Sequence, residues 1–203
     1  MARRMVHLLS TLLLVVATSA CRSPGPSRFY TLDATAVSDG TPPASYAVSV
    51  GPVSIPASVA RPEFIVQVAP NRVEVEEFDR WAAPLDDAVA HAVAANLAVL
   101  LGTPSVATAP LMNFAPAYRV AIGVQRFEST PGESVLLEAV WAVRKSAGGE
   151  ARSGRTVAQE TVQDASFDAL AAAHSRAVAK MSEDIAAAIR TEAAAPPVTR
   201  GVK

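Results

Sequence analysis

Few residues in this 203-residue chain are of a type and spacing that could do chemistry. Cys21 is its one cysteine, placed directly behind the most apolar stretch, "LLLVVATSA". A lone thiol has no partner within its own chain, so its chemistry is that of a free thiol or of a modified one. His91 and His174 fall on different segments, with no HExxH spacing and no partner cysteine, so a zinc site is not expected. No GxSxG elbow, GxGxxG turn or GxxxxGK[ST] phosphate loop occurs. Asp86/Asp87 and Glu76/Glu77 are sequence neighbours, so regular structure would splay each pair instead of converging it on a substrate. His174 lies on an apolar helical stripe and reads as a core-margin histidine bonded to a strand carbonyl, not as a general base. No catalytic, metal-binding or cofactor-binding residue is assigned, and the chain does not read as an enzyme.

Charge narrows the partners. Eighteen basic residues face 19 acidic ones, with no long run of either sign. Nucleic acid requires a clustered basic face to displace counterions, and none is present. Half of the residues are hydrophobic but only 5% are aromatic, which suits a core of small side chains. The length fits one domain.

The chemistry therefore centres on Cys21. Arg3 and Arg4 form a positive start, Leu8 to Ala17 an apolar core, and Thr18-Ser19-Ala20 are small: the pattern of a secretory signal over residues 1–20. The apolar run is shorter than the roughly 20 residues that a bilayer span requires. A signal followed at once by cysteine resembles the lipobox of bacterial lipoproteins, although Thr18 stands where an aliphatic residue is usual. That resemblance implies a diacylglyceryl thioether on Cys21, cleavage before it, and a further palmitate-type chain on the new amine. Each buried methylene contributes about 0.8 kcal/mol, so two or three chains make a stable anchor where one is marginal. Arg22 follows the cysteine in place of the aspartate that, by resemblance to enteric sorting rules, would retain the protein in the inner membrane. The expectation is an outer-membrane anchor with the body in the periplasm.

Beyond the cysteine, residues 21–27 read as a tether rich in Pro, Gly and Ser. Strands are expected at 28–34 and 46–56, the latter broken at Gly51-Pro52. A hairpin is expected over 63–78, turning at Pro70-Asn71, with one wet face carrying Glu74 and Glu76. Residues 84–102 read as a helix with Pro84 at its first position, Asp86 and Asp87 near its positive end, and Gly102 as C-cap. Its stripe is Leu85, Val89, Val93, Leu97 and Leu100, and its polar residues exclude a membrane span. Three strands follow at 118–127, 134–145 and 155–163. The last helix, 166–190, is capped by Ser166 and striped by Phe167, Leu170, His174, Val178, Met181, Ile185 and Ile189. Residues 191–203 read as a disordered tail. The order predicts one α+β domain over 28–190: a largely antiparallel, or mixed, sheet with two main helices on one face.

Three stretches then carry a family resemblance: "FYTL" (29–32), "VGPVSIP" with "ARPEFIVQ" (50–67), and "NRVEVEEFDRWAAPLDD" (71–87) leading into Asn96-Leu97. In this order they resemble the ABC-type transport auxiliary lipoproteins, which include the PqiC-like component of MCE-type intermembrane transport systems. The resemblance implies a partner set of an inner-membrane MCE protein with its permease and ATPase, and a cargo of lipid or another hydrophobic solute. Self-association is left open. The small residues at 82 and 83 leave room for Trp81 to fold inward, so it is expected to plug the core, with contact to a partner the alternative; Arg80 either pairs an acidic neighbour or contacts a partner. The rival readings are a structural envelope lipoprotein and a periplasmic lipoprotein hydrolase with a nucleophile beside His91 or His174.

Overall fold

The computed structural model describes residues 25–108 and 114–195; Cys21 and the segment before it lie outside them. The described elements run β1 (Arg28–Tyr30), β2 (Val48–Ser54), β3 (Glu63–Ala69), β4 (Arg72–Trp81), α1 (Leu85–Leu101), β5 (Val106–Ala107), β6 (Tyr118–Thr130), β7 (Ser134–Lys145), β8 (Arg152–Thr161) and α2 (Phe167–Ala194). They form a single α+β domain. The strands divide between two mixed sheets where one was expected: β5-β2-β6-β7-β8 and β1-β4-β3. The long ladders, β6–β7, β7–β8 and β3–β4, are antiparallel. The shorter pairings β1–β4, β2–β5 and β2–β6 are parallel. Parallel partners are distant in sequence and have no turn between them, so no local signal announces them.

Both helices pack on the large sheet, α1 against β2 and α2 against β7 and β8. Alternation in β7 buries Val135, Leu137, Ala139, Trp141 and Val143 on the helix side. Helix α1 buries its full expected stripe. Pro84 takes the N-cap position, one place before the one expected, and Gly102 caps the other end in the left-handed region at φ 63°. Ser166 caps α2 by accepting the Ala169 N–H at 3.2 Å. Helix α2 continues through Ala194, past the expected end at Arg190, because Glu192 pairs with Arg152 at 2.8 Å and Lys145 at 3.5 Å.

Trp141 lies over Gly154, its cross-strand partner. Its indole N–H donates to Thr156 Oγ1 at 3.1 Å, and that hydroxyl donates to Asp184 at 2.6 Å, which ties the sheet to α2. A Cβ at position 154 would sit inside the Trp141 ring. Gly154→Ala is therefore expected to cost about 1–3 kcal/mol by overpacking, read as a lower urea midpoint at unchanged m.

The β3–β4 hairpin forms with the expected turn, Asn71 adopting φ 61°. Its wet-face pattern is corrected. Val73 and Val75 are themselves 59% and 47% exposed. They pair with Gln67 and Ile65 on the face of the small sheet away from the core, whereas Glu74 and Glu76 lie level with the buried Val66 and Phe64. The hairpin projects beyond the core, so neither side of its end is covered.

Candidate functional site

The "DRWAAPLDD" motif forms the corner between β4 and α1. Two backbone bonds fix it: the Trp81 N–H donates to Pro62 O at 2.7 Å, and the Ala82 N–H donates to Tyr30 O at 2.8 Å. Small residues at 82 and 83 let the indole of Trp81 fold inward. It stacks on Phe64, with centroids 4.1 Å apart, and meets Phe127 edge-on at 5.9 Å. The Trp81 residue is buried. Arg80 turns the other way, pairing with Glu63 at 3.3 Å and donating to Glu77 O at 2.9 Å. That pair is partly solvated and contributes little to stability.

Beside the corner lies a groove of about 590 Å³, walled by Ile55, Pro62, Trp81, Ala83 and Leu85, with Arg61 and Asp86 also lining it. A largely apolar groove with one cation and one anion suits binding of an apolar segment, not bond cleavage.

Preceding the corner, Asp79 forms a cluster the sequence did not reveal. Its buried carboxylate accepts two bonds from Arg28, at 2.8 and 2.7 Å, and one from the Tyr30 hydroxyl at 2.7 Å. Burial alone would raise the Asp79 carboxyl, but the hydrogen bonds from Arg28 and Tyr30 outweigh it and hold it below the usual range. Burial, then the bond to Asp79, pushes the Tyr30 phenol up to about 12. The cluster ties the first strand after the tether to β4. Asp79→Ala should cost about 1–3 kcal/mol by stripping Tyr30 of its acceptor, measured by urea unfolding at neutral pH. An unchanged midpoint would show that the clamp carries no stability.

The histidines are not brought together. His91 is exposed on α1, with Nδ1 2.8 Å from Asp87 O and Nε2 3.5 Å from Thr108 Oγ1. His174 is fully buried, stacked on Phe127 at 3.9 Å. Its expected strand-carbonyl partner is instead a strand hydroxyl: Ser129 Oγ and His174 Nε2 share a hydrogen bond of 2.8 Å. A serine beside a histidine is the start of a nucleophilic pair, but this one lacks the remainder. Nδ1 has no hydrogen-bond partner among the described residues to orient it. Burial drives the imidazole down to about 3, a poor base near neutrality. The cavity at Ser129 holds about 10 Å³, too little for any substrate. Asp86/Asp87 and Glu76/Glu77 build no carboxylate site, and no metal-holding cluster of His, Cys, Asp or Glu exists among the described residues.

The comparisons with known proteins bear on the whole domain. No functionally curated protein matches the sequence. One similar solved structure is protein XCC0632 from Xanthomonas campestris, of the DUF330 family, at TM-score 0.68 and 18% identity, covering 83% of this chain and all of that one. Another is an uncharacterized protein at TM-score 0.67 and 20% identity, covering 81% of this chain and 99% of that one. At these identities the likeness shows the fold alone. The family described as the ABC-type transport auxiliary lipoprotein component matches residues 30–186, from the Tyr30 end of the clamp into the last third of α2. Spanning well over half the sequence, that match means that this chain belongs to the family of ABC-type transport auxiliary lipoprotein components.

Proposed function

We propose that the protein is an outer-membrane lipoprotein, acylated on Cys21, whose periplasmic body serves an ABC/MCE-type system moving lipid or another hydrophobic solute between the two membranes. The observation that carries the reading is the family match over 30–186, which follows a short basic and apolar leading segment and the single cysteine, Cys21. The family is a transport component and not a known enzyme family, and its lipoprotein character fits a membrane-anchored place in the envelope. None of the described helices is long and apolar enough to cross a membrane, in keeping with attachment by acyl chains. The domain extends over residues 28–190 behind a tether at 21–27. Energy coupling belongs to the partner ATPase, and Arg80 with the neighbouring groove is the surface offered to the MCE protein.

Cys21→Ser should abolish acylation and leave an uncleaved precursor, read by intact mass and membrane fractionation. A mature wild-type N-terminus with unmodified Cys21 would contradict the anchor. Transport is tested genetically. Deleting this gene, the MCE permease gene or both should give the same envelope-permeability defect. Additive defects would contradict a shared pathway.

A further inference from the structure

The small sheet turns a face away from the core on which Phe29, Val73 and Val75 are exposed, with Ile65 and Gln67 half-buried between them. Phe29, 64% exposed, lies level with Arg80 and Glu63 on this face; Ile65 opposite Val75 and Gln67 opposite Val73 continue it toward the turn. From Glu63 to Gln67 it extends about 13 Å. Arg80 and Glu63 pair at 3.3 Å, and Glu74 and Glu76 belong to the reverse side; the ladder shifts register between Glu63 and Phe64, so the exposed Glu77 falls in the irregular stretch of β4 between the level of Phe29 and the valines. Val68 at the hairpin end is also exposed, and Arg72 stands at the turn.

Strand direction identifies what this face meets. β1 runs parallel to β4, in the register Arg28–Asp79 to Tyr30–Trp81. The chain entering β1 therefore comes from the side where β4 begins, which is the hairpin end with Val73 and Arg72. Only six residues separate Cys21 from Arg28, seven steps along the chain with a reach of at most about 24 Å. The described chain thus enters the domain from the end that carries the exposed valines, and an acylated Cys21 on so short a tether would hold that end to the bilayer. A surface presenting Phe, Ile and Val beside an arginine suits the headgroup–acyl boundary of a bilayer. We infer that the hairpin end and the Phe29–Val75–Val73 face rest on the bilayer that holds Cys21, with Arg72 at the phosphate level. This orients the domain, directing the Trp81–Pro84 corner and its groove away from the membrane. The inference rests on acylation of Cys21.

The test uses the full acylated protein in phosphatidylethanolamine/phosphatidylglycerol vesicles. Acylation consumes the only native thiol, so Val73→Cys or Val75→Cys can be labelled alone with an environment-sensitive fluorophore. Ser146→Cys, exposed in the turn at the opposite end of the large sheet, is the control. Spin-labelled lipid should quench the probes at 73 and 75 at least threefold more than the probe at 146. Equal quenching on acylated protein overturns the seating and leaves the anchor intact. A blue shift that grows with protein density, without added lipid quenching, assigns the face to a second copy and also overturns it. A mass spectrum showing free Cys21 instead refutes the anchor reading itself, and the seating with it.

Discussion

Trp81→Ala protein is expected to unfold about 3–5 kcal/mol more easily than wild type. The indole is buried, stacked on Phe64 and edge-on to Phe127 and His174, so truncation opens a hole where the small sheet, β6 and α2 converge. Little can collapse into it, because the neighbouring positions 82 and 83 are alanines. Against a total stability of about 5–15 kcal/mol, that loss is a large fraction of what holds the domain folded. Urea denaturation at neutral pH measures it. If Trp81→Ala protein melts like wild type yet no longer co-purifies with the MCE partner, the indole is a docking residue and its place in the core carries no energy.

Acid should destabilise the protein through His174. Folded His174 titrates near 3 because burial opposes its charged form, whereas in the unfolded chain it titrates near 6.5. Below pH 6.5 the unfolded state therefore binds the extra proton, and stability falls as pH falls toward 3. The slope approaches about 1.4 kcal/mol per pH unit. Asp79 and Asp39, both held below the usual carboxylate range, add their own losses only below about pH 5. His174→Gln can keep a hydrogen bond to Ser129 but does not titrate, so its stability should stay flat from pH 7 to 5. Unfolding free energies at pH 7, 6 and 5 decide the matter. Parallel curves for the two proteins would contradict a neutral, buried imidazole.

Features written locally were legible in the sequence. Gly102, Ser166 and Asn71 each answer a conformational demand within a few residues of themselves, and all three sit where that demand arises. The α2 stripe was legible for the same reason: one period repeats over several turns. Features joining distant positions were not. Nothing near Asp79 announces Arg28, 51 residues earlier, nor does anything near His174 announce Ser129. The alternation of Val73 and Val75 with glutamates gave the right period but the wrong burial. Period shows which side chains share a face, while coverage depends on what packs there. The division into two sheets carries no local signal either, since β1 and β4 pair in parallel across 51 residues. Of the corner, Trp81 was legible through the small residues beside it; the groove, whose walls come from Ile55 just after β2, the loop before β3, the corner itself and the start of α1, was invisible.

Whether this domain works as part of an MCE-type transporter is decided by purifying the wild-type chain from gently solubilised envelopes and quantifying what accompanies it. The MCE protein, with its permease and ATPase, should be enriched together over a Cys21→Ser control. Recovery of acylated, folded protein with none of the three above that control would contradict that role.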